Sequence, residues 1–279
     1  MPDLTDASDA ASNAAASSRS LATRLQDSRA LTILARGGFA MNGLVHILIG
    51  GIALGVAFGG GGEADQGGAL GSLAQTPGGT FTLWVVAIGL CALGLFQVLE
   101  AILVRGTDKE AWADRAKEGG KGIAYLAIGG SAAGYAMGGS SDSSGQSQGL
   151  SSKLLAEPGG VFLLIVVALA IAAIGVYFIV KGVRKKFLSD IVEPQGPVTT
   201  GIVVLGVGGY VAKGIALVVV GALFGVAAIT ADPSAATGLD GALKSLVALP
   251  FGVAILSVVA IGLIFYGVYC FARAKYAQL

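Results

Sequence analysis

Six apolar stretches dominate the chain, at approximately 39–58, 80–104, 122–138, 161–180, 214–229 and 251–272, separated by short polar segments. The runs are continuously apolar and do not alternate, so they predict helices and not the strands of a membrane barrel. About 20 helical residues cross the hydrocarbon core of a bilayer. The second, fourth and sixth stretches meet that length, whereas the third and fifth must borrow flanking residues. The first 30 residues carry Ala, Ser and Asp with no apolar run. They lack the core of a secretory signal and read as a disordered tail.

The stretches repeat in pairs. Aligned on Pro77, Pro158 and Pro250, each even-numbered stretch has glycine two residues later (Gly79, Gly160, Gly252) and seventeen later (Gly94, Gly175, Gly267). An aromatic follows at nineteen (Phe96, Tyr177, Tyr269). The odd-numbered stretches align on Gly43, Gly122 and Gly214, with a second glycine seven residues on at Gly50, Gly129 and Gly221. Self-similarity at a fixed spacing is the mark of a repeat architecture. The expected organisation is a disordered cytoplasmic tail at 1–34 and three two-helix repeats at 35–106, 112–188 and 203–279. The fold class is all-α membrane protein, six transmembrane helices in a pseudo-threefold arrangement. Proline suits the first turn of a helix, so each even-numbered helix is expected to start at its proline. Leucines just before it (Leu70 and Leu73, Leu154 and Leu155, Leu243 and Leu246) predict a short amphipathic turn on the membrane surface. The loops at 59–62 and 138–145 are rich in Gly and Ser and read as mobile.

Charge fixes the orientation. Fifteen of the 18 Lys and Arg residues lie in the tail, in the connections after the second and fourth stretches, and at the C-terminus. The opposite loops hold Lys153 and Lys244. Basic connections stay in the cytoplasm, so a plasma-membrane protein with both termini inside is expected. Composition agrees: 54% hydrophobic, 13% charged and a mean hydropathy of +0.78, against about 25% charged in an ordinary soluble domain. A net charge of +1 gives no field for a nucleic acid. The expected partners are the lipid bilayer and other membrane-protein subunits. Lys213 is the basic residue that orientation leaves to be placed. At mid-bilayer it would cost about 2.5–3.5 kcal/mol. Its alignment with Lys121 and Asn42 places it at the inner interface, with 203–212 lying along that surface.

The segment from Ala35 and Arg36 through Asn42, Gly43 and His46 to Gly50, followed by an outer loop, Pro-Gly-Gly and a second apolar helix, resembles the bacterial domain of unknown function 1206 family. That resemblance covers about residues 35–279. It implies three tandem two-helix membrane units in a bacterial, often actinobacterial, plasma membrane, and brings no assigned activity.

Little chemistry is on offer. With one His in the chain, no Ser/His/Asp arrangement exists. Cys91 and Cys270 sit apart in apolar stretches and read as buried thiols. No catalytic, cofactor or metal site is expected, and the chain is read as not an enzyme. Ionisable groups within a membrane are functional candidates by default, which singles out Asn42, His46, Glu100, Lys121 and Lys213. Glu100 shares its slot, 23 residues past the proline, with Lys181 and Arg273, so it reads as an inner-interface carboxylate paired with Lys121 or Lys213. Asn42 and His46 share a helix face at i, i+4 and could face Glu100. A structural hydrogen bond between helices is the simpler reading, and a proton relay the sharper one. Small-xxx-small patterns at Gly51 and Gly55, Gly130 and Gly134, and Gly221 and Gly225 predict close packing of the odd-numbered helices. Together these point to a non-catalytic scaffold, assembly or accessory subunit, with a small-solute or ion transporter as the alternative.

Overall fold

The computed structural model describes residues 28–140, 142–192, 194 and 196–278. Most of the predicted tail lies outside them, but its last residues do not: α1 (Arg29–Ala57) begins within it. The remaining helices are α2 (Gln66–Ala74), α3 (Gly79–Leu103), α4 (Lys109–Ala136), α5 (Ser143–Ala156), α6 (Gly160–Val183), α7 (Pro197–Thr230), α8 (Gly238–Val247) and α9 (Gly252–Tyr276). A 3-10 turn, Lys186–Asp190, follows α6. Five helices, α1, α3, α6, α7 and α9, are long and apolar enough to cross a membrane. This is a membrane protein. α4 has 28 residues but opens on charged turns and falls short of that apolarity.

Each repeat unit is a long helix, a short helix and a second long helix. The proline does not sit in the helix's first turn, as expected, but just ahead of it. Gly79 N donates to Thr76 O (2.9 Å), Gly160 N to Glu157 O (2.9 Å) and Gly252 N to Leu249 O (2.8 Å). Pro77, Pro158 and Pro250 are thus the second residue of a turn whose third residue has φ of 77°, 80° and 61°. That is type II geometry, with proline and glycine at their preferred places. In the third unit Phe251 takes the left-handed position that Gly78 and Gly159 occupy elsewhere. The next glycine is required by space, since a Cβ on Gly79, Gly160 or Gly252 would overlap the carbonyl of Leu73, Leu154 or Val247. Asp65 and Asp142 cap α2 and α5 by accepting from Gly68 N (2.9 Å) and Gly145 N (2.7 Å). Ser143–Gly145, read as loop, therefore opens a helix.

The long helices pack tightly between units. α3 lies along α4, α6 along α7, and α9 along α1, with looser pairs α1/α3 and α7/α9. The three tight seams use the repeated glycines. A Cβ on Gly43 would stand 2.5 Å from Gly267 O, one on Gly122 2.9 Å from Gly94 O, and one on Gly214 2.6 Å from Gly175 O. One turn pair further on, Gly50 meets Ala260 O (2.7 Å), Gly129 meets Cys91 Sγ (2.7 Å) and Gly221 meets Ala168 O (2.8 Å). The expected small-xxx-small faces are mostly not the seams. A Cβ on Gly51, Gly55, Gly130 or Gly134 would meet nothing within 4 Å beyond its own helix backbone, and one on Gly225 would meet only Ala168 Cβ at 3.9 Å. Of the six, Gly221 alone is tightly packed. Nor do the helices of the odd-numbered apolar stretches, α1, α4 and α7, pack along one another, because each seam joins the second long helix of one unit to the first of the next. α4 and α6, the two long helices of the middle unit, do not pack along each other.

α7 is one unbroken helix of 34 residues, about 51 Å long. Residues 203–212 are therefore its continuation, not a segment on the surface, and Lys213 sits at its middle. At the basic end the chain is tied together by backbone. Val192 N donates to Tyr276 O (2.7 Å), and Ile191 bridges Ala277. Arg36 donates to Lys275 O (2.6 Å) and Ala277 O (3.1 Å), satisfying carbonyls left over at the end of α9.

Candidate functional site

Polar side chains gather in the half of the bundle nearest the basic end, in two layers. In the deeper layer α1, α7 and α9 bring Asn42, His46 and Lys213 together. His46 Nδ1 lies 2.8 Å from Asn42 O. A carbonyl only accepts, so Nδ1 carries the proton and Nε2 is left as an acceptor. Lys213 Nζ stands 3.2 Å from that Nε2. The ammonium also lies 4.3 Å from the centre of the Tyr266 ring and 5.4 Å from that of Phe178. A neutral imidazole and two aromatic faces take the place of water around the amine. Asn42 Nδ2 donates to Cys270 Sγ at 3.4 Å. Around this layer Tyr210, Tyr266, Tyr269 and Phe187 form one aromatic cluster with ring centres 5.2–6.3 Å apart.

The second layer is a cavity of about 420 Å³ at the basic end, lined by Phe39, Gln97, Glu100, Glu118, Lys121, Ser189, Asp190 and Arg273 among others. Glu100 accepts from Gln97 Nε2 (2.7 Å). Among the described residues it makes no ion pair. Lys121 pairs instead with Glu118, three residues before it, and Lys117 joins that carboxylate at 3.4 Å. Across the cavity Asp190 accepts from Lys181 (2.6 Å) and lies 3.7 Å from Arg273. Burial alone would raise the Asp190 carboxyl, but Arg273 and then Lys181 outweigh it and hold the group below the usual carboxylate range. Arg273 also stacks 4.4 Å over Phe39.

The sequence-predicted cluster is therefore split. Asn42, His46 and Lys213 meet in the upper layer, Glu100 and Lys121 line the lower one, and neither Lys121 nor Lys213 is the ion-pair partner of Glu100. His46 faces Lys213 and not Glu100, so no His–Glu relay forms. Sequence reasoning left out Gln97, Glu118, Asp190 and Arg273. A signal for Arg273 was available: Glu100, Lys181 and Arg273 occupy one repeat slot, and all three converge on this charged layer. Asp190 carried no such signal, because the 3-10 turn that delivers it has no counterpart in the repeat.

The opposite end holds acidic groups used as structural acceptors. Asp240 accepts from Ala64 N and from Lys244 Nζ, both at 2.8 Å. Burial, and then the neighbouring Asp65, Asp142 and Asp240, hold the Glu63 carboxyl above its ordinary value. Among the described residues no group of three His, Cys, Asp or Glu could hold a metal ion. Between the two ends the axis is apolar. Leu83, Val86, Leu90, Ala132, Leu256 and Ala260 have no exposed surface.

A family model described as Domain of Unknown Function (DUF1206) matches three times, at 37–103, 118–185 and 208–277. Bacillus subtilis (strain 168) has a similar protein, the uncharacterized YxxB, 30% identical over 248 residues, which cover 87% of this chain and 90% of that one. No solved structure matches the chain. Three family matches laid end to end over the three helical units show that this chain is a member of the DUF1206 family.

Proposed function

We propose that this protein is a non-catalytic scaffold, assembly or accessory subunit of the plasma membrane, with six spans and both ends in the cytoplasm. The observation that carries the reading is the dry far half of the bundle. Leu83, Val86 and Leu90 from α3 and Leu256 and Ala260 from α9 close the axis with no exposed surface, so the basic-end cavity has no polar route onward. The three equivalent glycine seams support α4 as a sixth span and a pseudo-threefold plan, opened where α4 and α6 part. The basic connections support the cytoplasmic placement of the cavity. Against catalysis, the single histidine is neutral and engaged on both nitrogens.

The alternative, a small-solute or ion transporter, is favoured by one observation: the cavity gathers Glu100, Glu118 and Asp190 at the inner end of the axis. Purification of the tagged chain in mild detergent, paired with flux measurements on reconstituted vesicles, separates the two. The expected result is a co-purifying membrane protein in fixed ratio and vesicles no leakier to protons or cations than empty ones. Conductance that disappears in Glu100→Gln would overturn the scaffold reading.

A further inference from the structure

We infer that the basic-end cavity is a binding site for a zwitterion, a group that carries a hydrogen-bearing ammonium and a phosphate or carboxylate a few bonds apart. The ethanolamine phospholipid headgroup and small soluble amino-phosphates or amino acids share that chemistry.

The cavity presents an unanswered acceptor and an unanswered donor. Gln97 is 3% exposed, and its Oε1 has no partner. The amide cannot turn round to use it, because Nε2 is committed to Glu100 at 2.7 Å, and the flipped amide would set oxygen against oxygen. Oε1 therefore lacks a donor, its side chain lines the cavity, and beside it Glu100 is a carboxylate with no ion pair among the described residues. Across the same space the Arg273 Nε is buried without a partner. Apart from its stack on Phe39, its guanidinium is held by one long contact, 3.7 Å from an Asp190 oxygen that Lys181 already occupies at 2.6 Å. A buried group left without its hydrogen bond costs about 1–3 kcal/mol, so two such groups on side chains that line one cavity describe the ligand that would complete them once the side chains turn to meet it.

Charge narrows the choice. A simple anion would meet Glu100, Glu118 and Asp190, and a simple cation would meet Lys121 and Arg273. A zwitterion places its ammonium at Gln97 and Glu100 and its anionic group at Arg273. The cavity volume lies within the ordinary range for small-molecule sites, about 300–1,000 Å³. Its depth suits a lipid source. Gln97 is 18 residues beyond the start of α3 at Gly79, about 27 Å along the helix, close to the far edge of a hydrocarbon core about 30 Å thick. Glu118 and Lys121 line the cavity from α4, the helix that does not pack along α6, and through that side a headgroup can enter from the bilayer while its chains stay in lipid. The inference does not depend on whether the protein is a scaffold or a transporter. It takes from the proposed orientation only the leaflet concerned.

The test uses the full-length protein, delipidated in detergent, with thermal stability and native mass spectrometry as readouts. Phosphatidylethanolamine is compared with phosphatidylcholine, whose trimethylated nitrogen has no N–H to give Gln97 or Glu100, and with free phosphoethanolamine and alanine. Retention and stabilisation by phosphatidylethanolamine over phosphatidylcholine is expected, falling about tenfold or more in Gln97→Met. Arg273→Lys should weaken binding in the same sense. Gln97→Met removes no ion pair, so it keeps the test decisive where Arg273→Lys fails to fold. Binding of the free compounds with no lipid preference would identify the soluble source of the same chemistry. Equal retention of the two lipids with no response to either free compound would overturn the inference, as would a Gln97→Met variant that binds like the parent.

Discussion

A layer built around Leu90 of α3 and Val259 and Leu263 of α9 contrasts with a layer built around Asn42 and His46 of α1 and Lys213 of α7. In the far half the axis is filled by side chains at most 3% exposed. Lipid is as apolar as leucine, so that half is held by close packing and not by escape from water. In the basic half each buried polar group needs a named partner, and most have one: His46 for Lys213, Cys270 for Asn42, Lys181 for Asp190. The comparison separates holding from recognising. The apolar layer has no polar group to satisfy, whereas the cavity at the basic end is lined by Gln97 and Arg273 with bonds unmade.

The glycine seams run through both halves, so breaking one should have the largest effect. Gly267→Leu would drive a side chain into the Gly43 carbonyl and Ile47. It is expected to abolish folded yield in detergent, as read by size-exclusion chromatography. Gly134→Leu, which meets open space, should stay within about 0.5 kcal/mol of the parent. A reversal of that order would put the seams on the wrong face.

A smaller effect is specific to the basic half. His46→Leu leaves the part-buried Lys213 ammonium with only aromatic faces and should cost about 2 kcal/mol in SDS-titration unfolding. Lys213→Met removes the charge itself and leaves only an unpaired imidazole nitrogen, a loss of about 1 kcal/mol. The double variant should fall well short of the sum, because the two side chains are in contact. Additive losses would mean that the pair does not interact.

Smallest is the contribution of Asp190. Its folded value is depressed, so the stability it adds is fully present above the unfolded value of about 3.9. That stability is lost as pH falls through the lower folded value. The gap between the parent and Asp190→Asn, about 1 kcal/mol for a partly exposed pair, should be constant from pH 5 to pH 8 and shrink below about pH 4. A gap that widens in acid would contradict the pairing with Arg273 and Lys181.

Much of the fold was legible because the repeat writes it three times. The alignment on Gly43, Gly122 and Gly214, with glycine again seven residues on, marked the faces that form the seams. The small-xxx-small motif pointed elsewhere because spacing of four recurs wherever glycine is abundant, and it does not say which face meets a neighbour. The continuity of α7 was hidden for another reason. The cost of burying Lys213 assumes a charge facing lipid, and the compensation by His46, Tyr266 and Phe178 comes from two other long helices, α1 and α9, and from α6. Glu100 was placed at the right end of its helix but given the wrong partner. Lys121 has a nearer carboxylate in Glu118 on its own helix, and that local i, i+3 pair takes the place of a cross-helix partner.

Cysteine accessibility tests the contrast between the halves most directly. In a Cys91→Ala, Cys270→Ala background, single cysteines replace Ser189 in the cavity and Leu90 or Val259 in the far half. An impermeant thiol reagent, which reacts only with a water-exposed thiolate, is then added to sealed vesicles of either orientation. The account predicts that Ser189→Cys labels only when the cytoplasmic face is outward, and that Leu90→Cys and Val259→Cys label in neither orientation. Labelling of Leu90→Cys or Val259→Cys from either side would contradict a dry far half and reveal a path through the protein.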